Sequence, residues 1–159
     1  MSHQNTRGRR QNYLPTLDTG KIILNKQAKE LSAELFNKIA SETAKTIANN
    51  TKSNNTKSNK PTQLRRFYDE IVMWENKVML LENYADKEEQ ADKFAEMLPF
   101  IKMLNAKTAY AEGRKLVDSN YVKLINHCLN QVNDPQSMKH FKLFMEAFMG
   151  FYKVERPKD

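Results

Sequence analysis

Two clusters of side chains in this sequence are of the types that hold a polyanion. Arginine and lysine bind phosphate oxygens, and tyrosine can stack on a base or hydrogen-bond a ribose. The first cluster consists of Lys60, Gln63, Arg65 and Arg66. The second cluster consists of Lys102, Lys107, Tyr110, Arg114 and Lys115. The chemistry that these residue types favour is contact with a sugar–phosphate backbone.

The first cluster lies beside the first turn of a predicted helix, for which Thr62 is the expected N-cap. The free N–H groups and the dipole of a helix N-terminus favour an anion, whereas Arg65 and Arg66 placed there oppose the dipole. A bound phosphate would offset that cost. Ion pairs with Asp69 or Glu70, three or four residues on, would offset it too. Spacing alone leaves both interpretations open.

The second cluster follows a helical repeat. Lys107, Tyr110 and Arg114 are three and four residues apart, so they share one face of a helix. Lys102 lies some distance round the helix from that face. The alternative is that Tyr110 packs in the core and leaves only its hydroxyl group at the rim.

The sequence offers no pattern typical of catalysis or metal binding. Cys128 follows His127 directly, and adjacent residues on a helix point about 100° apart, so the two do not form a nucleophile–base pair. Cys128 is instead expected in the core. The histidines, His3, His127 and His140, lack the spacing of zinc ligands, and there is no glycine-rich phosphate loop. We expect a non-enzymatic protein without metal or cofactor.

The elements that position the clusters are predicted to be helices. Apolar residues recur at helical spacing over 61–83, 87–98, 99–112, 119–132 and 135–152. Pro99 is expected to break or kink the chain near Leu98. Ser119 and Asp134 are the expected caps of the last two helices. No alternating strand pattern competes, so the predicted fold class is all-α, a compact bundle of about five helices.

The N-terminal part is expected to be an extension of this bundle. The segments predicted along the chain are a disordered basic lead (1–20), a helix (21–49), a flexible polar linker (50–60), the bundle core (61–154) and a tail (155–159). The linker is predicted because Asn-Thr-Lys-Ser-Asn occurs there twice in succession, and a polar repeat has nothing to bury.

The charge distribution is uneven. The formal net charge is +7, and residues 1–60 contain 11 Lys or Arg against 4 Asp or Glu, whereas residues 61–159 contain 15 of each. A basic arm on a body of mixed charge suits a polyanionic partner. A single cysteine and the lack of any long apolar run favour a cytoplasmic protein without a membrane anchor.

Four segments resemble the small subunit of type III-A (Csm-type) CRISPR effector complexes. They are 62–68 (TQLRRFY), 98–110 (LPFIKMLNAKTAY), 113–114 (GR) and 141–152 (FKLFMEAFMGFY). The resemblance covers about residues 61–153. It implies a non-catalytic helical protein that stacks in several copies along the guide RNA–target RNA duplex, beside the other subunits of the complex.

The resemblance also ranks the candidate residues. It favours Arg65, Arg66, Lys107 and Arg114 as the main RNA backbone contacts, followed by Gln63, Lys102 and Tyr110. Two other functions remain open, a purely structural adaptor that assembles a nucleoprotein complex and a stand-alone nucleic-acid-binding regulator. The first cluster could also serve packing between subunits.

Overall fold

The structure is a computed structural model that describes residues 17–53 and 57–158. Its α-helices are α1 (Ala40–Ser53), α2 (Pro61–Met79), α3 (Lys87–Lys102), α4 (Leu104–Gly113), α5 (Ser119–Leu129) and α6 (Pro135–Glu155). Short turns of 3-10 helix (Ala28–Glu30 and Leu80–Asn83) and of π-helix (Leu35–Ile39) adjoin them. These described ranges contain no strand. The predicted all-α class is confirmed, and α2 to α6 are the five helices of the predicted bundle.

Helix α6 forms the centre of the core. It packs against α1 on one side and α2 on the other. Its buried residues recur at helical spacing and include Met138, Phe141, Phe144, Phe148 and Tyr152, all without exposed surface. Burying each aromatic side chain stabilises the fold by roughly 1.5–3 kcal/mol, so α6 is the main apolar anchor for its neighbours.

Two predicted caps are displaced, by one residue at α5 and by two residues at α2, whose N-cap is Lys60. The carboxylate of Asp118, not Ser119, caps α5 by accepting from the Tyr121 N–H at 3.0 Å. Helix α2 begins at the proline before Thr62, so Thr62 is its second residue. The prediction for Asp134 is confirmed, because it accepts from the N–H of the third helical residue at 2.7 Å in a capping box.

The predicted break near Leu98 was wrong. Helix α3 runs through Pro99 to Lys102, and the chain turns at Met103 before α4 begins. Phe94 and Ile101 are buried on either side of the proline. A proline removes only one helical hydrogen bond, and the packing of these two side chains holds the helical path for one further turn.

The predicted helix over 21–49 was wrong in its first half. Residues 17–34 are mostly irregular, and continuous helix begins only at the π-helical turn before α1. Side chains from the turn after α5 and from α6 bond this segment instead. Gln131 Nε2 donates to the Ile22 carbonyl and its Oε1 accepts from the Leu24 N–H, both at 2.8 Å. His140 Nδ1 donates to the Leu24 carbonyl at 2.7 Å.

The described residues within 50–60 do not form the predicted flexible linker. Helix α1 continues to Ser53, and Asn59 is fully buried with φ at 58°. The Asn59 amide donates to Thr51 Oγ1 at 3.2 Å and accepts from the Asp118 N–H at 2.9 Å. The Tyr152 hydroxyl donates to the Asn59 carbonyl at 2.5 Å. A polar segment can be buried when its polar atoms are bonded in this way.

Some predictions fall on residues that the structure does not describe. Residues 1–16 of the predicted disordered lead and residues 54–56 of the predicted linker lie outside the described residues. Residue Leu17, at the end of the lead, is buried, and Lys123 Nζ donates to its carbonyl at 2.7 Å. No helix among the described residues has the length and apolar composition needed to cross a membrane.

Candidate nucleic-acid interface

The two predicted clusters are connected by a side-chain contact between α2 and α4. Lys107 Nζ on α4 is hydrogen-bonded to the carboxylate of Glu70 on α2. Arg66 lies one turn before Glu70, and Tyr110 and Arg114 follow Lys107 by three and seven residues. We call these five residues the α2–α4 face. Along α4 the cations span about 10 Å, since each residue of a helix rises 1.5 Å.

Tyr110 is an exposed residue of this face. The ring is 69% exposed, while Leu104, Thr108 and Ala111 are the buried residues of α4. The alternative that Tyr110 packs in the core is therefore wrong. The Arg114 guanidinium lies 5.9 Å from the Tyr110 ring centroid, a distance at which a cation and an aromatic ring attract each other.

The two arginines of the first cluster have different surroundings. Arg65 forms an ion pair with Asp69 at 3.1 Å and also lies over the Tyr68 ring at 5.9 Å. Both partners of the pair are more than 60% exposed, so it stabilises the fold by at most about 1 kcal/mol. Arg66 is exposed and has no ion-pair partner among residues 17–53 and 57–158.

Lys102 has a structural contact. Its side chain is half-buried, and Nζ donates to the Leu129 carbonyl at 2.9 Å. Leu129 is the last residue of α5, whose terminal carbonyls lack helical partners, and a lysine there satisfies one of them. Lys102 thus joins the end of α3 to the end of α5 and is not part of the α2–α4 face.

The remaining predicted residues flank the two clusters. Lys60 and Lys115 are exposed, and Gln63 is half-buried. The Gln63 N–H already donates to the Lys60 carbonyl at 2.9 Å, and Pro61 has no N–H. The start of α2 therefore has fewer free donors for an anion than the sequence analysis assumed. Lys115 has φ at 62°, and its carbonyl accepts from Ser58 Oγ at 3.0 Å.

Sequence reasoning missed an exposed aromatic corner between α2 and α3. Phe100 is 58% exposed and stacks on Trp74, with ring centroids 6.4 Å apart and planes at 20°. Lys77 Nζ lies 4.7 Å from the centre of the Trp74 ring. Met103, the residue between α3 and α4, is 51% exposed. Phe100 lies outside the apolar stripe of its own helix, and this position was the signal in the sequence that could have indicated an exposed aromatic residue.

A groove lies on the other side of Arg65, between the start of α2 and the end of α6. It has a volume of about 590 Å³, and its lining includes Tyr68, Glu146, Gly150 and Lys153. Burial, followed by the charge of Glu146, raises the pKa of Tyr68. Arg65 is thus directed toward α6, and the α2–α4 face is a separate surface.

Two features bear on catalysis. Cys128 is fully buried, and burial raises the pKa of its thiol far above the usual range, which keeps it protonated. Within the described part of the chain, no group of three or more His, Cys, Asp or Glu is placed to hold a metal ion.

Comparison with known families matches residues 30–158 to the family described as Csm2 Type III-A. The chain belongs to this family. The Csm2 Type III-A match includes α1 and residues 30–39 before it, which the four segments of the sequence analysis did not reach. As a member of this family, the chain is a small subunit of a type III-A CRISPR effector complex. No curated protein and no solved structure matches the chain significantly.

Proposed function

We propose that this small subunit is a non-catalytic RNA-binding protein that holds the backbone of the guide RNA–target RNA duplex with its α2–α4 face. The observation that carries the proposal is the placement of Arg66 and Arg114. Both are exposed, and neither has a carboxylate partner within the described ranges. Both lie on the side of the Lys107–Glu70 contact toward the start of α2 and the end of α4, where the Asn59 N–H donates to the Leu116 carbonyl at 2.9 Å. Lone guanidinium groups of this kind suit phosphate oxygens.

The proposed contact is independent of base sequence. In a guide complex, base pairing reads the target sequence, so the protein needs only to hold backbone. Each phosphate that a cation neutralises releases counterions, and the affinity then falls as salt rises. A single copy with two or three such cations binds weakly, and several copies along one duplex add their contacts.

Two surfaces at opposite ends of α2 support stacking of copies. The groove beside Arg65 and Lys153 is cationic at its rim and lies at the start of α2. At the other end, Leu80 is 63% exposed and lies among exposed acidic residues that include Glu82. Helix α2 has 19 residues and is about 28 Å long. Contact between unlike surfaces at two ends produces an open stack and not a closed dimer.

The non-catalytic role is supported by the chemistry of the described side chains. The thiol of Cys128 is enclosed in the core, and His127 next to it donates to the Ile22 carbonyl at 2.8 Å. The Cys128 thiol and the His127 imidazole, a nucleophile and a base by residue type, are thus both used within the fold. We place the subunit in the cytoplasm, where its RNA partners would be.

Charge reversal tests the proposed function. We expect Arg66→Glu combined with Arg114→Glu to lower the affinity of the assembled complex for target RNA at least about tenfold, because two phosphate contacts become repulsive. The matched control is Lys45→Glu with Lys139→Glu, which changes the net charge equally at exposed positions on α1 and α6. Affinity would be measured by fluorescence anisotropy.

The adaptor function is the second candidate, and the groove between α2 and α6 favours it. If Arg66→Glu with Arg114→Glu prevents assembly while RNA affinity of the complexes that do form is unchanged, the α2–α4 face contacts a protein neighbour. That result would replace the proposed function with the adaptor function.

A further inference from the structure

The Tyr110 ring is not explained by the packing of this chain. It is 69% exposed and points away from the buried Leu104 and Thr108 of α4. An exposed aromatic ring of this size loses its apolar contribution to folding, and its ring contact in the described structure is with the Arg114 guanidinium. The exposed ring with a guanidinium beside it offers a flat surface on which a base can stack.

The ring and the guanidinium together form a platform with a cationic edge. Unpaired nucleic-acid bases stack on tyrosine rings and on guanidinium planes, and neighbouring cations then hold the phosphates on either side. Lys115, the residue after Arg114, is a further exposed cation next to this platform. The nearby carboxylate of Glu70 is already bonded to Lys107.

We infer that Tyr110 and Arg114 bind an unpaired RNA base by stacking, so that this face prefers RNA with an unpaired nucleotide to a fully paired duplex. This inference rests on the proposed function, since it concerns the same face. Backbone contact alone treats paired and unpaired RNA alike, whereas a stacked base requires a nucleotide that has left its own helix. Stacking on an aromatic side chain changes affinity by roughly 5- to 150-fold per base.

The test compares two RNA ligands with the purified full-length chain. One is a short, fully paired RNA duplex, and the other carries one additional unpaired nucleotide, the fluorescent base 2-aminopurine. At low salt, where backbone binding reaches roughly micromolar affinity, we expect the bulged duplex to bind at least about fivefold tighter. Stacking on Tyr110 should also quench the 2-aminopurine fluorescence.

Three variants separate stacking from other roles of the ring. Tyr110→Leu should abolish the quenching and lower the affinity for the bulged duplex to that of the same variant for the paired duplex. Tyr110→Phe keeps the ring and should retain both effects. Tyr84→Leu is the matched control, because Tyr84 is 38% exposed outside the α2–α4 face. Thermal unfolding of each variant verifies that the fold is intact.

The outcomes distinguish this inference from the proposed function. Equal affinity for both ligands, or a preference that survives Tyr110→Leu, overturns the inference. If the paired duplex still binds and Arg66→Glu weakens it, the proposed function stands alone. If neither RNA binds the isolated chain, the inference is overturned, and the proposed function is decided by the charge-reversal test on the assembled complex. If Tyr110→Leu blocks assembly of the complex but leaves RNA preference unchanged, the ring contacts a protein, and the inference is overturned.

Discussion

Single residues set how much positive charge the α2–α4 face presents to RNA. Lys107 is the central cation of the face, but its ammonium group is hydrogen-bonded to Glu70. Arg66 lies one helical turn before Glu70, and Arg114 lies seven residues after Lys107. Neither arginine has such a partner within the described ranges. The carboxylate of Glu70 therefore cancels one of three cations on the face that we propose to contact the RNA backbone.

Removing that carboxylate should strengthen RNA binding. We expect Glu70→Gln to raise the affinity of the assembled complex for target RNA by about fivefold, since one unit charge near a phosphate in water contributes about 1 kcal/mol. Asp69→Asn is the matched control, because it makes the same charge change at the next residue, where the carboxylate pairs with Arg65. Equal effects of the two variants in a filter-binding titration would show that net charge alone matters.

Sequence spacing predicted part of this arrangement. The three- and four-residue intervals placed Lys107, Tyr110 and Arg114 on one face because helix geometry is local. The contact with Glu70 joins residues that are 37 positions apart, and local periodicity contains no information about such a pair. For the same reason, the sequence could not distinguish the paired Arg65 from the unpaired Arg66.

Elements of this fold are held by apolar stripes in the bundle and by polar bonds in the N-terminal part. The helices of 61–154 were predictable because their stripes are long and regular. The segment 17–34 was not, because its conformation depends on Gln131 and His140, more than 100 residues later. These tertiary bonds override the weak helical pattern of the segment.

Asn59 joins three elements, and its replacement should destabilise all of them together. We expect Asn59→Ala to lower the free energy of unfolding by about 2–4 kcal/mol, because the Asp118 N–H loses its acceptor and alanine is strained at positive φ. Asn59→Gly removes the same bonds without the backbone strain and should cost about 1 kcal/mol less. Urea unfolding measures both, and an unchanged midpoint for Asn59→Ala would contradict this role.

The whole molecule has different surfaces for the proposed RNA contact and for the proposed stacking of copies. The α2–α4 face lies along the side of the bundle, while the groove and the exposed surface around Leu80 lie at opposite ends of α2. Such separation allows a copy to contact its neighbours without covering its cations. The resemblance suggested the stacking, but the sequence alone gave no location for the two ends, because exposure of Leu80 depends on the surrounding fold.

The exposed surface around Leu80 provides a test of stacking. We expect Leu80→Glu to reduce the number of copies in the assembled complex, because it removes apolar contact area and adds a charge at the interface. The free energy of unfolding should change by less than about 0.5 kcal/mol, since Leu80 is 63% exposed. Val154→Glu, at a residue 76% exposed near the end of α6, is the control. Native mass spectrometry gives the copy number, and an unchanged number would refute this interface.

The most direct measurement of the central claim is the salt dependence of target-RNA affinity. The slope of log affinity against log salt counts the phosphates that the protein neutralises, at roughly 0.7–0.9 per phosphate. For Arg66→Gln with Arg114→Gln in the assembled complex, we predict a slope shallower by about one to two units for each copy in contact with RNA. A slope identical to that of the unmodified complex would contradict the claim that this face holds the RNA backbone.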